Sequence, residues 1–343
     1  MRKLSQKLET KSAVLALSLI LTGCGGLIEF AHNKNADPLS ATKISVLPLA
    51  MADKIEGAVL AGTWETELMG IGYNVIERGN IETILTEQGL SLAGATNAEQ
   101  SAKIGQLLGS EGIIFGSGQS LEHSIKLVNS KTAQTLWSVS ARTETQAQME
   151  LPSKMALTIR KKLRKLGWKE SENEDILPIP VQVGRIRVII NPKISKVKIQ
   201  KVAVLPFRGE NGEIWADKVA NTLLKTGYDV IERSQIEQIF KEQKLSLTGA
   251  ITQEDADKLL KLYGIQGMIF GNGFGLALAS QGSASGGYAS GYKFNMKLVN
   301  MENGELLWSC YGNIVASGED FALFPKLFRK IDDTASGIKG WFR

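Results

Sequence analysis

Few residues of this chain have the type and spacing for chemistry. Two Glu-Arg pairs, Glu77-Arg78 and Glu232-Arg233, stand at corresponding places in two similar stretches. Each ends a strand-like run and precedes a helix-like one. There an acid suits the positive end of a helix dipole and an arginine can brace the strand end. Their identical placement favours a structural duty over a binding one. Gly271-Asn272-Gly273-Phe274-Gly275 has the glycine content of a phosphate loop, but it leads into another strand-like run. Without a following helix no row of backbone amides meets a phosphate, and Gly116-Ser117-Gly118 fails in the same way. The two histidines, His32 and His123, are far apart, and His123 falls in an alternating run that reads as a surface strand. The two cysteines, Cys24 and Cys310, build neither a disulfide framework nor a zinc site. The sequence therefore predicts no catalytic residue, no metal and no cofactor, and a role that is not enzymatic.

Cys24 is the one residue placed for covalent chemistry. Residues 1–12 are basic and polar, and residues 13–22 are almost wholly apolar. That run is shorter than the roughly 20 residues a spanning helix needs, and fits a secretory signal. It ends in Leu21-Thr22-Gly23-Cys24, which resembles the bacterial lipobox: a branched residue, two small ones and a thiol acceptor. The resemblance implies that residues 1–23 are removed and that Cys24 is lipidated, anchoring the protein to a membrane. Gly25, in place of an aspartate, implies sorting to the outer membrane, with the protein on the periplasmic face. Residues 24–41 read as a tether.

The formal charge of +5 owes most to that leader. Arg2, Lys3, Lys7 and Lys11 against Glu9 carry +3, leaving about +2 for the rest, so basicity gives little support to nucleic-acid binding. Arg160, Lys161, Lys162, Arg164 and Lys165 cluster on one predicted helix. No aromatic residues interleave them, and they read as a solvated face opposite Leu157 and Leu163. No nucleic-acid partner is expected.

The elements that must position these residues come twice. Between residues 73–95 and 228–250, 15 of 23 positions are identical. Each copy opens with an apolar strand ending at a proline, at Pro48 and Pro206. A helix follows, showing Ala61, Trp64 and Leu68 on one face in the first copy, and Ala216, Val219 and Leu223 in the second. Gly72 and Gly227 are candidate C-caps. A second strand, two short helices, three strands and a last helix complete the order. Early strand-helix units predict parallel pairing and the later run predicts a hairpin, so the fold class is α/β, with a mixed sheet of about five strands flanked by helices in each domain. The expected domains are 42–168 and 200–343, separately stable, joined by a charged linker at 169–199 in which residues 181–190 alternate like a strand.

Register exposes one divergence. Phe270 lies 155 residues after Phe115, whereas Trp308 lies 171 after Trp137, so the second copy carries 16 additional residues between these points. Such insertions are where duplicated domains acquire function. Ser280, Gln281, Tyr288 and Tyr292 in this region are the candidate partner-binding residues.

The motifs Val-Ala-Val-Leu-Pro-Phe at 202–207, Gly-Tyr-Asp-Val-Ile-Glu-Arg-Ser-Gln-Ile at 227–236, Lys-Glu-Gln-Lys-Leu-Ser-Leu-Thr-Gly at 241–249, Gly-Ile-Gln-Gly-Met-Ile-Phe-Gly at 264–271 and Asn-Gly-Glu-Leu-Leu-Trp at 303–308 resemble the CsgG-type family, the curli secretion channel and its relatives. The resemblance covers most of 201–310 and, more weakly, 43–138. It implies two tandem CsgG-like domains, envelope or secretion proteins as partners, and a homo-oligomer. The implied role is non-catalytic protein binding in envelope assembly or secretion. The alternatives are a secretion-pore subunit and a lipoprotein regulator of peptidoglycan synthesis. The family's channel has one such domain and two long membrane hairpins per subunit. This chain has two domains and room for at most one hairpin.

Overall fold

The computed structural model describes residues 28–76, 98–119, 122–142, 150–169, 177–209, 211–231, 233–242, 253–279, 288–315 and 323–341. The first copy supplies β1 (Ile28–His32), β2 (Lys43–Val46), β3 (Asn74–Val75), β4 (Gly112–Gln119), β5 (Glu122–Asn129) and β6 (Thr135–Arg142). They form one sheet in the order β1-β6-β5-β4-β2-β3, with β2 parallel to β3 and β4 and the remaining pairs antiparallel.

The second copy repeats that order. Its strands are β7 (Ile179–Val183), β8 (Ile186–Ile190), β9 (Lys201–Val204), β10 (Arg208–Gly209), β11 (Asp229–Ile231), β12 (Gly267–Ala279), β13 (Tyr288–Asn300) and β14 (Leu306–Val315). The sheet runs β11-β9-β12-β13-β14-β8-β7, with β10 also paired to β12. The class is mixed α/β in both copies, as expected.

Each sheet is wider than the five strands expected, for an identifiable reason. Residues 28–32, read as tether, form β1 and pair with β6. Residues 179–190, read as linker, form the β7–β8 hairpin, and β8 pairs with β14. β1 and β8 sit in equivalent places, each followed by ten residues before the next strand. The structural repeat thus begins ahead of the apolar strands from which it was read. Pro180 is tolerated in β7 because that strand is an edge.

The helices are α1 (Lys54–Gly70), α2 (Ala98–Leu108), α3 (Leu151–Lys165), α4 (Gly212–Lys225), α5 (Arg233–Glu242), α6 (Gln253–Tyr263) and α7 (Leu323–Trp341). α1 and α3 cover one face of the first sheet, where Trp64, Leu68, Met155, Ile159 and Leu163 meet Ile44, Ile114, Leu127 and Trp137. Trp137 donates its Nε1–H to the Tyr73 hydroxyl at 3.0 Å, and Trp168 donates to the Ile71 carbonyl at 3.1 Å. In the second copy α4 and α7 do the same work, with Trp215, Val219, Leu223, Phe324, Leu327 and Phe328 on Phe294, Met296, Leu298 and Trp308. α5 and α6 cover part of the opposite face, with Ile236, Phe240 and Leu259 on Ala203, Leu205 and Met268. Gly72 and Gly227 end α1 and α4 with φ of 100° and 95°, the left-handed conformation glycine adopts without cost.

Two local readings are corrected. His123 is buried rather than a surface residue, because its side chain lies on the covered face of β5. Leu157 is exposed rather than inward, while Met155, Ala156, Ile159 and Leu163 form the buried stripe of α3.

Candidate functional site

The residues proposed from sequence do not converge. Cys24, Ser280 and Gln281 lie outside the described residues. Tyr288 opens β13 opposite Ala279, on the ribbon made by β12 and β13. Tyr292 packs its ring edge-on against Trp215 at 5.5 Å and takes a long hydrogen bond from Asn211 Nδ2 at 3.4 Å. Tyr292 is thus part of the second core. The inserted residues lengthen β12 and β13 to 13 residues each. Past Gly273 and Gly291 the described neighbours of this ribbon end, so residues 277–279 and 288–290 pair with each other alone.

The polar side chains that do converge lie between the two copies. α1 has no solvent face: residues 57–69 are buried except Leu60. One side of α1 rests on its own sheet. The other side rests on β12, β13, β14 and β8 of the second sheet. Glu65 Oε2 accepts from Lys297 Nζ at 2.7 Å, with both side chains under a tenth exposed. Glu67 accepts from Arg187 Nε and Nη2, and from the Tyr311 hydroxyl at 2.7 Å. The Thr66 and Ser309 hydroxyls lie 2.8 Å apart. Asn295 donates to the Val59 and Ala58 carbonyls at 2.9 and 3.3 Å and accepts from Asn272 at 2.9 Å. Asn74 donates to Glu305 at 2.9 Å beyond the other end of the helix.

Close approach is what makes this seam possible. A Cβ on Gly62 would stand 2.3 Å from Asn295 Nδ2, and one on Gly70 would stand 3.2 Å from Ile189 Cδ1. Glycine at both places lets the helix backbone settle on the sheet. Apolar contact adds to it, since Ile189, Val299 and Leu306 of the second copy belong to the core of the first.

The electrostatics are those of closed pairs. Burial alone would lower the Arg187 pKa, but the Glu67 carboxylate reverses this and holds it raised. Burial, then the Glu67 charge, pushes the Tyr311 hydroxyl well above its ordinary range, keeping it a neutral donor. At the N-terminal end of α1, Lys293 meets Glu56 at 3.7 Å. Burial, and then the Lys293 charge, pushes His123 down to about 4, so it is neutral at physiological pH. Among the described residues its Nδ1 has no hydrogen-bond partner.

Sequence reasoning assigned none of these residues to a seam, although Asn272 and Glu305 fall within motifs it quoted. The available signal was the contrast between the copies: α1 carries Gly62, Glu65, Glu67 and Gly70 where α4 carries Asp217, Ala220, Thr222 and Lys225. Glu77-Arg78 and the Glu232 half of the other pair lie outside the described residues. Among the described residues no group of three or more histidine, cysteine or acidic side chains is placed to hold a metal, and no helix is long and apolar enough to cross a membrane.

Solved structures similar to the chain include the PelC dodecamer from Paraburkholderia phytofirmans, at 17% identity over 37% of this chain and 84% of that one, TM-score 0.24. The lipoprotein GNA1162 from Neisseria meningitidis matches at 20% identity over 38% and 96%, TM-score 0.28. The LpoB C-terminal domain from Salmonella enterica matches at 18% over 36% and 93%, TM-score 0.26. No curated protein sequence matches significantly. The sequence profile of the curli production assembly/transport component CsgG matches residues 69–155 and 195–322, one segment in each copy. With well over half of the chain matched, and the same sheet order built twice, the protein belongs to the CsgG family with its domain duplicated.

Proposed function

We propose that this chain is a lipid-anchored envelope protein, held at the periplasmic face of the outer membrane through Cys24. There it binds other proteins during envelope assembly or secretion and catalyses nothing. The observation that carries the reading is the doubled CsgG-family fold, in which the converging charged side chains are spent on joining the copies. A scaffold needs rigid, presented surfaces, and a buried ionic joint between two domains supplies rigidity. The leader ending in Leu21-Thr22-Gly23-Cys24 supports the anchor.

The test is crosslinking in living cells from positions on the β12–β13 ribbon, followed by identification of the captured proteins. Reproducible capture of envelope or secretion components is expected. Capture of none, with a detectable turnover of a small-molecule substrate, would overturn the reading. For the anchor, Cys24→Ala is expected to abolish palmitate labelling, and unchanged labelling would contradict it.

A second reading, a subunit of a secretion pore, is favoured by one observation. Among the described residues the β12–β13 ribbon runs past its neighbours. A membrane strand needs about 9–11 residues, and residues 276–291 must supply both arms and the turn. The primary reading therefore predicts no stepwise conductance from the purified lipidated chain in planar bilayers.

A further inference from the structure

α3 carries Lys154, Arg160, Lys161, Lys162, Arg164 and Lys165, and no acidic residue between Leu151 and Lys165. Sequence reasoning set Leu157 behind these charges, and the structure sets it among them. Met155, Ala156, Ile159 and Leu163 take the buried side of the helix. With about 3.6 residues per turn, Leu157 then shares the outer side with Lys154, Lys161, Arg164 and Lys165. All five are exposed, Leu157 by 55%. A solvated face needs the charges but not a leucine in their midst. One exposed leucine means little by itself. Its setting is what gives it meaning.

The first part of that setting is the distance to the anchor. Cys24 stands four residues before Ile28, where β1 begins, so at most about 14 Å of extended chain separates them. β1 is the edge strand of the first sheet, and α3 packs on it. Ile28 and Phe30 join the core that holds Met155 and Ile159. Lipidation of Cys24, the reading on which this inference rests, therefore brings the outer side of α3 close to a bilayer.

The second part is the contrast between the copies. α7 is the corresponding helix of the second copy. Aligned on buried residues, Met155, Ala156 and Ile159 of α3 match Leu327, Phe328 and Ile331 of α7. Arg329 then stands at the place of Leu157, and Asp333 at the place of Lys161, both exposed. The unmixed basic face with a leucine in it belongs to the copy that carries the anchor.

We propose that α3 lies on the bilayer that holds the anchor, with its lysines on anionic phospholipid headgroups and Leu157 at the edge of the acyl region. The chemistry fits that surface. Lysine ammonium groups meet phosphates as mobile point charges, and their stems cover apolar area while the charge stays in water. A basic helix face with an apolar residue at its centre settles at the boundary between headgroups and acyl chains. A lipid anchor alone leaves the molecule free to turn about its tether. A second contact at α3 fixes which side of the molecule faces away from the membrane.

The test places the full lipidated chain in nanodiscs whose lipids carry a spin-labelled headgroup as quencher. A bimane label is attached at Leu157→Cys or, as the control, at Arg329→Cys. Cys310 is buried and Cys24 is acylated, so the introduced thiol takes the label. Both sites are exposed, and the thermal midpoint is expected to stay in place. In discs of phosphatidylcholine with phosphatidylglycerol, quenching at Leu157→Cys is expected to exceed that at Arg329→Cys by about fivefold. In discs of phosphatidylcholine alone, or at raised salt, it is expected to fall to the control level. Lys161→Ala combined with Lys165→Ala should lower the contacting population about twentyfold, at about fivefold per lysine near an anionic surface. A chain that does not enter the discs overturns the anchor at Cys24 and this proposal with it. A chain that enters the discs but shows no more quenching at Leu157→Cys than at Arg329→Cys overturns this proposal alone, and marks α3 as a solvated face. Strong quenching that ignores phosphatidylglycerol, salt and the two lysines also overturns it.

Discussion

Glu65 and Lys297 show how a charge comes to rest inside this molecule. Each would cost several kcal/mol to bury alone, and their 2.7 Å contact offsets that cost only while both are present. Lys297→Ala should therefore lower stability by roughly 3–5 kcal/mol, because it leaves Glu65 buried without its cation. Glu65→Leu combined with Lys297→Met should recover most of the loss. Denaturant titration checks both, and a loss below about 1 kcal/mol for Lys297→Ala would place the pair at the level of a surface contact. His123 gives a pH dependence of known sign. Its folded pKa, about 4, is below the unfolded value of 6.5, so the unfolded chain takes up the proton first as pH falls. Its contribution is fully present above pH 6.5 and is lost progressively between pH 6.5 and 4, by up to about 3 kcal/mol. His123→Phe should flatten the stability profile in that window. An unchanged slope would show that other groups set it.

α1 is the element on which the two copies depend. Its inner stripe, Ala61, Trp64 and Leu68, was legible from helical spacing, because a period of 3.6 marks the face toward the helix's own sheet. Its outer side was not legible. Glu65, Thr66 and Glu67 look like a solvated face, and their partners lie 120 or more residues away in the chain. Local pattern carries no record of such pairing. β1 was missed as an edge strand for a related reason: five residues beside a single neighbour leave a short, mixed pattern, whereas the alternation at 181–190 did mark the β7–β8 region. The ribbon shows the opposite case, since the register difference between the copies located the insertion correctly, but the candidate Tyr292 turned out to pack on Trp215. The close contact at Gly62 is open to a direct test. Gly62→Ala should destabilise by about 1–3 kcal/mol through overlap with Asn295, and Asn295→Ser should relieve it in the double variant. Equal losses in the single and double variants would show that the glycine serves helix conformation and not the sheet contact.

At the scale of the whole molecule, two similar domains have become one body. Sequence suggested separately stable units joined by a charged linker. The structure buries a helix of the first copy under the second sheet, extends the first core with Ile189, Val299 and Leu306, and seals the joint with ion pairs. Separating the copies would expose α1 and strand four charged side chains, so the joint should not open before the domains unfold. The central claim is that this joint makes folding cooperative across both copies. Scanning calorimetry of the full chain, with Lys297→Ala beside it, tests this most directly. The account predicts one transition whose calorimetric and van't Hoff enthalpies agree, moved as a whole to lower temperature by Lys297→Ala. Two resolved transitions, with Lys297→Ala moving only one of them or neither, would contradict it.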